Sequence, residues 1–513
     1  MELLVDQIAK LQILNQFWLT LFLLIPIVLI ARTVVAGTRY SPILIIVVFG
    51  LTMGLLLNMS EVSTPGLPEF PLINMISRVT IIALIVSFFV GGQEIRKLLS
   101  KKKLSVDDMV IPSQEEVLLG TKRTQFVFII RAFFILLGIE GIRRVILGSP
   151  ASDPLGKYYP LIAYIGIITS IILIDYKATI KNKPLYIKKG TLEIVAIISI
   201  LLFTHYLSLW VAPIIPLPQI FFAMIFSSSL GWIFTDWHPG PTNRALLFAG
   251  IPVVLAANFL VGGSRILEAF NLPGLKAVMG YGFFGQLFWM FSGLTLLILL
   301  GKANHVRNLA PGMAGSLSHA GLTGACTAGE LGDEAQARGP IMINIPFLGH
   351  IFVFTVLAIS AQKGVLLLPW ALLIASIGIG LTVLSIRTMR KADGKEDIEV
   401  KGLMQFSFGW QLVAVFGSFT VLHLSGMPIY NAAMATSSSI SHFGLFTALQ
   451  GGMFGNEAAE LIPFIFAMPF LVHPIVFGLF GNAMEHGGVM NKKIVYLLCL
   501  VGILGLFYSL AML

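Results

Sequence analysis

The chain has 513 residues, 56% of them hydrophobic and 12% charged, about half the charge of a soluble globular protein. Its net charge of +9 sits in short basic loops between apolar runs, not in a basic and aromatic groove, so nucleic acid is excluded as a partner. The two cysteines, Cys326 and Cys499, stand in apolar context with no CxxC spacing, which leaves neither a disulfide framework nor a zinc motif.

The N-terminal stretch MELLVDQIAKLQILNQFW carries acidic residues and no small-residue cleavage site, so it does not read as a cleaved signal peptide. Apolar runs long enough to cross a bilayer then recur along the chain. Spans are expected near 15–35, 42–59, 76–92, 125–147, 158–175, 191–210, 216–234, 244–262, 281–300, 340–361, 364–386, 405–423, 463–482 and 491–513. The fold class is all-α: a polytopic transmembrane bundle of about 14 spans, in the cell (inner) membrane. Lys/Arg clusters at 96–103, 177–189, 302–307, 387–401 and 492–493 put those loops on the cytoplasmic side. Neutral or acidic loops such as 59–75, and the N-terminus, are then outside.

Within the first half, Arg131 and Glu140 share the span 125–147 at a spacing that does not pair them along one helix face. Arg143 and Arg144 end that span, where long side chains can snorkel to the interface. The motifs FFVGG (88–92) and FLVGG (259–263) resemble each other. Their positions do not fit the duplication described next, so no role is assigned to them.

Two spans separate the basic loops 302–307 and 387–401. The segment 308–339 must therefore begin and end in the cytoplasm, as a re-entrant hairpin. The same count gives 424–462 both ends outside. These two segments also repeat each other. SLSHAGLTGACTAGELGDEAQARGP begins at Ser316, and SISHFGLFTALQGGMFGNEAAELIP begins at Ser439, 123 positions later. Without a gap, 316–354 matches 439–477 at 17 of 39 positions. Those matches include Ser318/Ser441, His319/His442, Gly321/Gly444, Glu334/Glu457, Pro346/Pro469 and His350/His473. Apolar bias inflates matches of Leu, Val and Phe but does not place His, Glu, Pro and Gly in register. The likeness extends upstream, FGQLFWMFSGLTLL (284–297) against FGWQLVAVFGSFTVL (408–422), with one insertion.

Each unit, 281–386 and 405–513, holds three crossings, an odd number, so the second stands upside down relative to the first. Interrupted segments at matching places in inverted repeats are the architecture of secondary transporters. Residues 281–513 are expected to be the transport domain and 1–262 a scaffold with oligomer contacts, in a homodimer or trimer. Glycines in the hairpins permit irregular backbone at membrane depth, which is tolerated only where protein or a water-lined site satisfies it. Hydroxyls near half-helix ends suit an anion or Na⁺. Candidate substrate-binding residues are Ser316, Ser318, His319, Gly321, Ser437, Ser438, Ser439, Ser441, His442 and Gly444. Candidate coupling-ion or proton residues are Glu334, Glu457, His350 and His473, because titratable groups inside a membrane are functional candidates. A duplicated fold also copies its structural histidines and its close-packing small residues, so the repeat by itself assigns none of these roles.

The serine-rich stretch ATSSSISHFG (435–444), with the paired hairpins, resembles at the level of architecture the elevator-type secondary transporters: glutamate:cation symporters, sodium:dicarboxylate carriers and bacterial sodium:glutamate symporters. The resemblance rests on 281–513 and carries no residue role over. It implies ion-coupled (Na⁺ or H⁺) transport of a small anionic solute by alternating access, without enzymatic activity and without a cofactor. Two other readings stay open. One is an intramembrane metal or redox protein built on the duplicated His/Glu set, although no HxxxH or HxxH spacing occurs. The other is a channel, since re-entrant hairpins also build filters.

Overall fold

The computed structural model describes residues 2–511 apart from 37, 39, 64–70, 100–121, 150–152, 154, 176–182, 270–274, 302–303, 328, 393, 456–464 and 466–468. The described residues form helices and no strand. In chain order these are α1 Glu2–Val34, α2 Pro42–Ser63, α3 Pro71–Ser77, α4 Thr80–Leu99, α5 Lys122–Leu147, α6 Tyr159–Asp175, α7 Lys183–Val211, α8 Gln219–Ile233, α9 Pro241–Ala245 and α10 Ile251–Ala269. The second half has α11 Leu275–Gly301, α12 Val306–Leu317, α13 Ala320–Thr327, α14 Asp333–Lys363, α15 Leu368–Arg390, α16 Glu396–Leu424, α17 Ile429–Ile440, α18 Phe443–Gln450, α19 His473–Glu485 and α20 Lys492–Ala511.

Among the described residues, 11 helices are long and apolar enough to cross a membrane. The chain is a multi-pass membrane protein. Two of the expected spans, 42–59 and 216–234, are shorter apolar helices over Pro42–Leu57 and Gln219–Ile233. The expected span 463–482 falls partly on residues outside those described, and its described part is α19. Burial sorts the helices into layers. The apolar window of 241–264 is 100% buried, against 28% for 187–211 and 22% for 492–511. Side chains such as Trp210, Leu504 and Phe507 are exposed and turn apolar surface outward, as lipid-facing positions do.

Partnering in the second half is reciprocal. Helix α15 packs on α16 and α20 on α11, while α11 packs on α17 and α16 on α12. By the 123-residue repeat each of these is the counterpart of the other, so the two units are interleaved.

The polar ends of several helices meet. Arg307 at the start of α12 reaches Glu334 at the start of α14 (3.3 Å) and Glu399 in α16 (3.8 Å), and Arg338 reaches Glu396 (3.2 Å). Val306 N–H donates to Gly488 O and Met490 N–H to Asn304 O, each at 2.8 Å, tying the entry of α12 to the turn before α20. In α5, Glu140 finds its partners one turn on, accepting from Arg143 (2.6 Å) and Arg144 (2.8 Å). Both arginines thereby serve a carboxylate 2% exposed, which needs charged donors.

Candidate functional site

Helices α12 and α17 end in the same way. Ser318 (φ 51) and Ser441 (φ 50) both adopt the left-handed conformation, alone among the described non-glycine residues. The following amide turns back into the helix: His319 N–H donates to Ala314 O (2.9 Å) and His442 N–H to Ser437 O (3.0 Å). This closes each helix with a Schellman-type bond and bends the chain sharply at a serine rather than a glycine. A left-handed non-glycine residue costs about 1–3 kcal/mol and persists where its surroundings fix it. Here the fixing contact is the other segment. His319 and His442 form an antiparallel backbone bridge, and Phe443 N–H donates to Ser318 O at 2.8 Å.

Each histidine then starts the next short helix. Leu322 N–H donates to His319 Nδ1 (3.1 Å) and Leu445 N–H to His442 Nδ1 (3.0 Å). The imidazole thus satisfies one of the amides that a helix start leaves unpaired. An Nδ1 that accepts fixes the tautomer of the neutral ring, with its proton on Nε2. At that atom His319 faces the Gln286 amide (3.0 Å) and His473 Nε2 (2.8 Å). Likewise His442 Nε2 faces the Gln411 amide (2.9 Å) and His350 Nε2 (3.0 Å). The pairing crosses the units: a histidine of the first unit meets one of the second in both cases. All four rings are fully buried.

Two consequences follow from hydrogen-bond counting. Two Nε2 atoms at hydrogen-bond distance share one proton between them, so His473 and His350 accept there and carry their own protons on Nδ1. Those two Nδ1 atoms are buried and have no hydrogen-bond partner among the described residues. Because the single Nε2 proton of each pair serves the facing histidine, the Gln286 and Gln411 amides beside the same Nε2 atoms compete for it rather than receiving one of their own. Glycine makes the pairing possible. A Cβ at Gly444 would collide with the His350 ring, and one at Gly321 would lie 3.0 Å from His473 Cε1.

The serines of the expected site surround the crossing. Ser316, Ser437, Ser438, Ser439 and Ser441 are fully buried and Ser318 is 5% exposed. Ser438 Oγ donates to Ile465 O (3.1 Å) and Ser439 Oγ to Thr436 O (3.0 Å). Ser437 Oγ, Ser441 Oγ and Thr436 Oγ1 have no partner among the described residues. The structure therefore brings together His319, His350, His442, His473, Gly321, Gly444, Ser318 and Ser441. It does not bring Glu334 to them: that side chain is 54% exposed and pairs with Arg307. Glu457 lies outside the described residues.

Other polar groups at or near the centre escape a reading of the hairpins alone. Gln286 and Gln411, both 0% exposed, come from the first span of each unit. The upstream likeness FGQ against FGWQ carried the signal, a buried-type amide repeated within an apolar run. Glu330, at the exit of α13, accepts from Ser41 Oγ and lies 3.9 Å from Arg32, whose guanidinium also covers the Phe248 ring at 3.8 Å. This carboxylate has no counterpart in the repeat, where Met453 stands in its place, and only the fold joins it to residues nearly 300 positions earlier. Among the described residues no three His, Cys, Asp or Glu side chains are grouped so as to hold a metal ion. Comparison with known proteins gives no matching family, no matching curated protein and no matching solved structure, so the site is read from its own chemistry.

Proposed function

We propose that the protein is an ion-coupled secondary transporter of a small anionic solute, working by alternating access, with residues 281–513 as two inverted units. The observation that carries the reading is the crossing of the two interrupted segments. His319 and His442 bridge backbone to backbone, and each imidazole is completed by a histidine of the other unit. Broken helices whose ends converge between inverted repeats are where secondary transporters hold substrate and coupling ion.

Several features support the re-entrant geometry. The entry of α12 and the start of α14 both meet the charged start of α16, whose basic flank reads as cytoplasmic. The exit of α13, at Glu330, meets Arg32 and Ser41, which flank a loop on the same side by the charge count. Helix arms of 12 and 8 residues span at most about 18 Å at 1.5 Å per residue, short of a hydrocarbon core about 30 Å thick. The left-over chemistry suits an anion: two imidazole Nδ1 groups and hydroxyls, buried and without a partner among the described residues, in a region where hydrogen-bond donors are costly to leave unused. Either Na⁺ or H⁺ serves as coupling ion on this reading, and a homo-oligomer through the exposed faces of the first half remains part of the proposal.

The test is uptake by the purified full chain in liposomes, screened over small anionic solutes with imposed Na⁺ and pH gradients. Saturable, gradient-dependent accumulation supports the transporter. Unsaturable flux that follows the solute's own gradient identifies a channel. Stoichiometric metal in the purified protein, without uptake, identifies the metal-protein reading.

A further inference from the structure

The motifs FFVGG and FLVGG, left without a role by the sequence, occupy matching places in the first half. Phe88 of α4 packs edge-on against Phe347 of α14, with centroids 4.5 Å apart and planes at 80°. Phe259 of α10 packs edge-on against Phe470, at 4.4 Å and 73°. Phe347 and Phe470 are themselves counterparts in the 123-residue repeat. Each continues to a histidine of the central pairs: Phe347 to His350 (4.2 Å, 80°) and Phe470 to His473 (3.9 Å, 88°). Two lines of edge-to-face rings thus run from the first half to the imidazoles, alike in residue type and geometry.

The helices that carry these phenylalanines are matched as well. Helix α4 packs on α8 as α10 packs on α2. The crossings are made by glycines. A Cβ on Gly231 would strike the Phe89 carbonyl, and one on Gly54 the Leu260 carbonyl. A Cβ on Gly92 would strike the Ser228 carbonyl, and one on Gly263 the Leu51 carbonyl. Both sets follow fixed offsets, 171 residues from α4 to α10 and 177 from α2 to α8. Four backbone approaches that close require glycine on each near side, and four in matched register are not the product of composition. Helix α13 also packs on α2 as α18 packs on α8. By the charge-based sides, α1 and α4 begin outside and α2 inside. Two crossings, α5 and α6, intervene, and α7 and α10 then begin inside and α8 outside, the reverse order.

We infer that the first half is a second pair of inverted units, and that Phe88 and Phe259 are positioning residues, each holding one of the two His–His pairs through its own ring line. The inference rests on the proposed reading of the imidazole pairs as the working centre, and it deepens it. The first half is then a duplicated seat for the site, one unit to each pair, rather than a passive scaffold. Ring edges and faces attract over offset or perpendicular geometry, and an imidazole kept 2.8–3.0 Å from its partner tolerates little drift before the shared hydrogen bond is lost.

The experiment is solid-state NMR of the full chain in lipid bilayers with ¹⁵N-labelled histidine, the ring signals assigned by single His→Gln removals. Phe88→Ala is expected to move the His350 and His442 signals by more than their linewidths and to leave those of His319 and His473 in place. Phe259→Ala should do the reverse. Phe88→Leu and Phe259→Leu, which refill most of the lost volume, should show the same pairwise selectivity with smaller shifts, and they carry the test if an alanine variant does not fold. Equal movement of both pairs by either substitution, or no movement by both, overturns the inference. None of these readouts needs a transported solute. Failure of uptake in the unsubstituted protein overturns the transport reading alone.

Discussion

Substitution of Gly444 by alanine separates a paired-imidazole centre from a loosely packed one. Gly444 sits in the first turn of α18 with the His350 ring across it, so an added Cβ would collide with Cε1 and crowd Nδ1 at 3.0 Å and Nε2 at 3.2 Å. Alanine in a helix gains about 1 kcal/mol over glycine. Overpacking a close-packed site costs about 1–3 kcal/mol. Pushing His350 off His442 leaves buried donors and acceptors without partners, at about 1–3 kcal/mol. The sum is a net destabilisation of about 1–5 kcal/mol, with the clash outweighing the propensity gain. At the counterpart Gly321 the nearest atoms lie at 3.0–3.3 Å, so the neighbours need give only by tenths of an ångström and the loss should be smaller. Gly380, exposed on α15 with nothing within 4 Å, is the control, where alanine should be neutral or stabilising. The assay is thermal or denaturant unfolding of the three variants in one detergent, with liposome uptake alongside. The expected order of stability is Gly380→Ala, then Gly321→Ala, then Gly444→Ala. A Gly444→Ala protein as stable as the control would refute the reasoning, because it would mean that His350 does not occupy the space over that glycine.

Other outcomes are expected. Cysteines placed at Glu334 and Lys395, in a background lacking Cys326 and Cys499, should be labelled from one side of the membrane and a cysteine at Ser425 from the other; labelling of Glu334 and Ser425 positions from the same side would break the inverted arrangement. His319→Gln and His442→Gln should each alter the pH dependence of uptake in a protein that still inserts, since a shared Nε2 proton is lost in either case. A pH profile unchanged in both variants would leave the imidazoles as packing elements only. Removing the carboxylate in Glu330→Ala strands the buried Arg32, at a cost of about 3–5 kcal/mol. The double variant Arg32→Met/Glu330→Met should recover most of it in unfolding measurements, and equal losses in single and double variants would mean that the two side chains do not act as a pair.

The membrane class and most of the apolar helices were legible in the sequence, as was the second-half repeat. Apolar run length and loop charge are local quantities, and a duplication in register needs no geometry to be seen. The serine and histidine segments were also found there, because SLSHAG and SISHFG interrupt apolar runs with residues that a bilayer does not accept without partners. What the chain could not disclose is which group completes which. His319 is completed by His473, 154 positions away, and His442 by His350 of the other unit. Crossed pairing of that kind arises only when interleaved units bring four helices together. The FFVGG and FLVGG motifs show the same limit. Five apolar and small residues are common in membrane helices, so their likeness carried little weight until Phe88 met Phe347 and Phe259 met Phe470. Glu334 and Glu330 lie four positions apart, and hydropathy cannot rank them. One is at an exposed charged end, while the other is buried against Arg32 and Ser41. The difference is set by what packs around each carboxylate, and packing between distant segments is a property of the tertiary structure alone.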